Sequence, residues 1–265
     1  MRHGTGHGRF AATLGITATL LLVASCASTG VGSKARNSTG IVLVAGATGG
    51  TGQEAVKQAQ SKGYAVRVLV RDEAKARALF GDRVAYVVGN VKEPKSLTAA
   101  VKGATFVISA LGSNSMRDPE NKPELIDFGG VKSLAEAAKK AGVKHFVLVS
   151  SMGVTDKDNR MNKMFDNIMT FKLAGEDALR ASGVPYTVVR PGGLRDGAGG
   201  LKGIKVMQGD PKIQGQIPRA DVAAVCVNAL GRKDAFGKTF EIIGDESTAA
   251  VDWNRFFTGM AADVR

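Results

Sequence analysis

The chain has 265 residues, 44% hydrophobic and 23% charged, a balance that suits one globular α/β domain; its 34 glycines are scattered through loops without a period, which excludes collagen-like and disordered classes. A formal charge of +12 suits anionic partners such as a nucleotide phosphate or lipid headgroups. Nucleic acid is not expected as a partner, because no basic helix is interleaved with aromatics and aromatic residues make up only 6%.

Residues 1–25 carry Arg2, His3, His7 and Arg9 with no acid, then the apolar segment Phe10 to Ala24, too short and Thr-rich for a membrane-spanning helix. This pattern predicts an export signal. Val23-Ala24-Ser25-Cys26 resembles a bacterial lipobox, so Cys26 is expected to be the lipidated first residue of the mature chain, with ordinary cleavage after Ala27 as the alternative. Residues 26–40 then serve as lipid anchor and flexible tether, and Ala27 favours the outer membrane. A start nearer Val31 or Val42 would instead make the protein cytoplasmic.

Residues 41–265 are expected to form the folded domain. Ile41–Ala45 is a short apolar run, and the loop after it places glycines at Gly46, Gly49 and Gly52 ahead of the helical stretch Gln53–Ser61. A strand, a glycine loop and a helix in that order hold a dinucleotide. The first glycine allows a tight turn, the second lets the backbone approach a pyrophosphate, and the third lets helix and strand pack closely, with Thr48, Gly50 and Thr51 completing the phosphate loop. Further buried-strand runs follow at Val66–Val70, Val84–Val88, Phe106–Ala110, Phe146–Ser150 and Tyr186–Val189. Helical patterns at Glu73–Phe80, Pro94–Val101, Pro123–Ala141, Asn162–Ala181 and Arg219–Leu230 alternate with them. This alternation predicts a Rossmann-like, doubly wound parallel sheet with helices on both faces. Lys238–Ile243 adds a late strand and Ala250–Ala262 a closing helix, while Gly192–Ile217 has no strong period and is expected to shape the substrate side.

Gly-Ala-Thr-Gly-Gly-Thr-Gly, together with Val66 to Asp72, Gly89-Asn90-Val91, Val107 to Gly112, Phe146 to Ser151 and Tyr186 to Gly193, resembles the atypical short-chain dehydrogenase/reductase family in order, and most nearly its NmrA-like branch and that branch's chloroplast relatives. The resemblance implies an NAD(P)-binding oxidoreductase. It puts Asn90 and Val91 beside adenine, Ser109, Ala110 and Leu111 along the cofactor ribose, and Pro191, Gly192 and Gly193 where backbone passes the nicotinamide. Ser151 matches the family's catalytic serine, with Ser150 beside it on the cofactor. Lys172 matches the lysine of the Tyr-x-x-x-Lys motif, but Ile168 stands where the tyrosine belongs.

The residues themselves add two points. Arg71 directly follows the second strand, where a guanidinium pairs with a 2′-phosphate and argues for NADP, whereas Asp72 either binds a ribose hydroxyl, favouring NAD, or caps the next helix. Without a phenol poised by Lys172, alcohol–ketone chemistry is not expected. The expected activity is NADPH-dependent hydride transfer to a small electron-poor acceptor such as a quinone, and the alternative is a non-catalytic NADP(H)-binding sensor or interaction module.

No His/Cys/carboxylate cluster has metal-ligand spacing, and the glycine loop lacks the Lys-Ser/Thr ending of a P-loop. Ser151 lacks the preceding glycine of a nucleophile elbow. His145 is expected to be a surface or half-buried structural residue at a strand's amino end, and Cys226 a small core residue.

Overall fold

The sheet is built around β1 (Ile41–Ala45), whose last four residues are fully buried because strands flank it on both sides and helices cover both its faces. The computed structural model describes Met1 and residues 40–114, 118–247 and 250–264. The expected signal, the anchor cysteine Cys26 and all but the last residue of the tether lie outside the described residues.

Chain order runs β1, α1 (Gly50–Ser61), β2 (Ala65–Val70), α2 (Glu73–Phe80), β3 (Ala85–Val88), α3 (Pro94–Val101) and β4 (Phe106–Ser109). A π-helical turn (Glu124–Gly130) leads into α4 (Val131–Lys140), followed by β5 (His145–Val149), α5 (Arg160–Met164), α6 (Ile168–Ser182) and β6 (Tyr186–Pro191). Three short strands, β7 (Gly193–Arg195), β8 (Gly203–Met207) and β9 (Gln216–Pro218), precede α7 (Arg219–Ala229) and β10 (Lys238–Asp245).

The main sheet has the order β3-β2-β1-β4-β5-β6-β10-β8, parallel throughout except for the edge strand β8, which runs antiparallel to β10. This is a single-domain Rossmann-like α/β fold. Strand order reverses between β1 and β4, and the carboxyl ends of those two strands open a crevice, the place where such sheets bind ligands. One core lies under α1, α2 and α7, where Val42 and Val44 meet Ala55, Phe80 and Cys226; the other lies under α3, α4 and α6, where Leu43 meets Leu97, Leu134 and Leu179.

Several elements differ from the sequence reading. The expected sheet is parallel, whereas Gly192–Ile217 supplies the antiparallel β8 and a separate β7–β9 pair. The expected helix Asn162–Ala181 breaks at Asp166 and Asn167, whose φ values of 48° and 58° lie in the left-handed region; the Asn162 side chain then caps α6 by accepting from Met169 and Thr170 backbone N–H groups. Pro123–Ala141 is not uniform, since its first part is the π-helical turn. Ala250–Ala262 forms turns rather than a helix. There the Arg232 guanidinium takes the carbonyls of Trp253 and Asn254, which a helix would need, and Gly259 has a φ of +81°.

His145 is fully buried, contrary to a surface or half-buried placement. Its Nε2 pairs with Thr187 Oγ1 at 3.0 Å, and burial pushes its pKa down to about 4. Cys226 is buried as the sequence suggests, and burial pushes its thiol up to about 12, which makes it unreactive.

Candidate functional site

The crevice at the carboxyl ends of β1, β2 and β4 encloses about 450 Å³. Gly46, Thr48, Gly49, Arg71, Asn90, Val91, Ala110 and Leu111 line it, so eight residues singled out from the sequence converge there.

The three glycines do different work. Gly46 has a φ of +76°, and a Cβ on it would strike the carbonyl of Ala110; a Cβ on Gly52 would strike the carbonyl of Gly46. Both are required by the protein itself. A Cβ on Gly49 would meet only Gly46 O, at 3.4 Å, so the space in front of Gly49 is open toward the crevice. Gly49 also caps α1 without any side-chain bond, which leaves the helix's first N–H groups available to an anion. Thr51 and Gly52 are buried in the first turn of α1, and Gly50 lies against the Arg219 side chain, whose Cδ would be 2.6 Å from a Cβ there.

Arg71 stands at the end of β2 and donates to Asn121 Oδ1 at 2.9 Å, with Asp118 at 3.6 Å. Asp72 caps α2, accepting from Lys75 N at 3.0 Å, which is the second of the two roles open to it. Asn90 turns its Oδ1 into its own loop, accepting from Lys92 N at 3.1 Å.

The second group of site residues lies at the ends of β4, β5 and β6. Ser109 and Ser150 are buried and their hydroxyls have no protein partner, although each can donate one bond and accept two. Ser151 is half-buried and donates to the carbonyl of Met152. Its loop is pinned by Asp210, which accepts from Gly153 N and from the backbone and hydroxyl of Thr155. Lys172, on α6, pairs with Asp127 at 2.7 Å, not with Ser151. Ile168 is partly buried one turn before it. Gly192 has a requirement of its own, since a Cβ would lie 2.5 Å from Gly215 O; Gly193 is exposed beside it and Pro191 is buried.

Behind Pro191, Arg190 donates to Glu176 at 2.9 and 2.7 Å and to Glu241 at 3.0 Å. Burial would lower the Arg190 pKa, but the bonds to Glu176 and Glu241 outweigh it and hold the guanidinium above its ordinary range. Burial pushes the Glu241 carboxyl up, and Arg190 offsets only part of that.

The arrangement fits a dinucleotide: an open glycine face at a helix N-terminus and a cation at the end of β2 share one crevice. Sequence reasoning missed Asp127, Asn121, Asp118, Asp210 and Arg219. Of these only Asp127 carries a local signal, an acid between Ile126 and Phe128 in an otherwise apolar helical stretch. Among the described residues no group of three His, Cys, Asp or Glu side chains could hold a metal ion.

Comparison with known proteins agrees with this geometry. An NAD(P)H-binding family matches residues 46–233. Sanguinarine reductase of Eschscholzia californica is 36% identical over 240 residues, covering 76% of this chain and 88% of that protein. The chloroplastic Arabidopsis thaliana protein At2g37660 is 34% identical over 242 residues, covering 82% of this chain and 74% of its own. Among solved structures, ChuY, an anaerobillin reductase from Escherichia coli O157:H7, superposes with a TM-score of 0.67 at 25% identity, covering 79% of this chain and all of that one (100%).

These relatives correct the reading of the N-terminus. At2g37660 and the TIC 62 proteins of pea, rice and Arabidopsis are chloroplastic, which overturns the assignment to an exported, outer-membrane bacterial lipoprotein attached to the membrane through Cys26. Cys226, the cysteine that the structure describes, is buried and offers no surface for lipidation, and no described helix is long and apolar enough to cross a membrane. The match is to a family of NAD(P)-binding oxidoreductases and epimerases, in place of an NmrA-like branch behind a lipoprotein signal.

Proposed function

The chain belongs to the NAD(P)H-binding family that matches residues 46–233, and from that premise we propose that it is an NADPH-dependent oxidoreductase of the atypical short-chain dehydrogenase/reductase type. In this reading it passes hydride to a small electron-poor acceptor without a catalytic tyrosine. The observation that carries it is the pairing of Lys172 with buried Asp127, whose chain neighbour Ile126 lines the crevice, with Ile168 in place of a phenol. Two of the similar proteins are named as reductases, which supports this reading, while others are named as epimerases.

The bound cofactor supplies the hydride. The chain's own residues bind and orient: Gly49 and the α1 N-terminus take the diphosphate, Arg71 the 2′-phosphate, Lys172 the ribose hydroxyls nearest the nicotinamide, and the Ser151 hydroxyl the acceptor. No residue beside Lys172 provides a phenolic proton, so the reduced acceptor draws its proton from solvent. NADPH oxidation against a panel of quinones tests the proposal. Tight NADPH binding with no oxidation by any quinone would favour the non-catalytic sensor.

Cofactor choice gives a separate expectation. Arg71→Ala should weaken NADPH by roughly 1.5–3 kcal/mol, the scale of a hydrogen bond to a charged group, and leave NADH nearly unchanged. Equal losses for both cofactors in a titration would assign Arg71 to the Asp118–Asn121 segment alone.

The unmodified protein should not reduce simple ketones. Ile168→Tyr places a hydroxyl one helical turn from Lys172, and a positioned general acid contributes ~10²–10⁴-fold, so weak carbonyl reduction should appear in that variant. Robust ketone reduction by the unmodified protein, followed by NADPH absorbance, would defeat the expectation.

A further inference from the structure

We propose that Asp127 is a positioning residue for the cofactor: it sets the direction of the Lys172 ammonium and ties that direction to the wall of the crevice. The inference rests on the reading of Lys172 as the residue that holds the nicotinamide ribose.

Asp127 lies on the π-helical turn and is 2% exposed. One carboxylate oxygen, Oδ1, accepts from Lys172 Nζ at 2.7 Å; the other, Oδ2, accepts from the backbone N–H of Ser113 at 3.0 Å. Ser113 directly follows Gly112, and Ile126 directly precedes Asp127; both Gly112 and Ile126 line the crevice. A single buried carboxylate therefore joins the loop after β4, the π-helical turn and α6.

The packing is specific to this joint. A Cβ on Gly175 would strike the carbonyl of Asp127, so α6 can lie against the π-helical turn only with glycine there, and Lys172 sits one turn before Gly175. π-helical turns are rare and are frequent at functional sites, and Asp127 lies on this one.

A lysine stem has four rotatable bonds, and an unrestrained ammonium would sample many directions. Held at both oxygens, Asp127 cannot swing with it, so the ammonium keeps one donor on the carboxylate. Two of its three donors remain, the number a ribose diol can accept.

The test compares two probes: NADP⁺, which carries the nicotinamide ribose, and 2′,5′-ADP, which lacks it. Asp127→Asn removes the charge at constant shape, and Asp127→Glu keeps the charge but displaces it by one methylene, so at least one variant should retain the fold. Each is expected to weaken NADP⁺ roughly tenfold or more, the scale of one charge-assisted bond, and to leave 2′,5′-ADP within about twofold. Because Asp127 acts through Lys172, adding Asp127→Asn to Lys172→Met should weaken NADP⁺ no further. Equal losses for both probes, or additive effects in the double variant, would overturn the positioning role. Should Lys172→Met itself leave NADP⁺ unchanged, the reading of Lys172 fails and this inference with it; if only the Asp127 variants are silent, the positioning role alone is overturned.

Discussion

Gly49→Val abolishes nucleotide binding while the domain stays folded: this is the largest effect on ligand binding that the geometry leads us to expect. Gly49 has a φ of −79°, which any residue adopts, and a Cβ there meets only Gly46 O at an ordinary contact distance of 3.4 Å. The folded chain therefore tolerates a side chain. A diphosphate does not, because it needs the backbone at van der Waals distance, and valine occupies that space. Loss of even two charge-assisted bonds to the phosphates corresponds to roughly 3–6 kcal/mol, or more than about 10²-fold in affinity. Gly52→Val is the contrast, since its Cβ would strike Gly46 O inside the protein and the fold itself should suffer. Calorimetric titration with NADPH, paired with thermal melting, checks both; retained affinity in Gly49→Val would mean that the loop is not the phosphate site.

Arg190→Met should have the largest effect on stability. Glu176 and Glu241 are both fully buried, and Arg190 is the guanidinium that bonds to each, so its removal leaves Glu241 without a cation and Glu176 with only the partly buried Arg180. Breaking a buried ion network from one side costs about 3–5 kcal/mol, a large share of the roughly 5–15 kcal/mol that holds a domain together. The pH dependence follows from Glu241, whose carboxyl burial already pushes up. Without Arg190 its folded-state pKa rises further above the unfolded value, so the folded state binds the extra proton and the variant regains stability as pH falls through that raised pKa. Denaturant titrations at neutral and mildly acidic pH measure this. A loss under 1 kcal/mol, or a variant that weakens further on acidification, would show that the network carries little.

Much of the architecture was legible along the chain. The first strand, Ile41–Ala45, and the helices Glu73–Phe80 and Pro94–Val101 have the bounds their apolar patterns indicate, and the glycine loop faces the crevice as its spacing requires. Continuous apolar runs and glycine spacing act over a few residues, so the sequence alone determines that β–loop–α units form and that a crevice opens at their strand ends. Tertiary structure decided the rest. The 250–262 segment has a helical pattern, but Arg232 takes its carbonyls; the 162–181 pattern breaks where Asp166 and Asn167 turn left-handed; His145 sits at a strand's amino end yet is sealed over. The partners that aim the site are likewise remote in sequence: Lys172 and Asp127 are 45 residues apart, and Arg190 and Glu241 are 51 apart. Side chains so separated meet only after sheet and helices have packed. Which lysine is held, and in what direction, is thus a property of the assembled layers, whereas the glycine loop is a property of seven consecutive residues, Gly46 to Gly52.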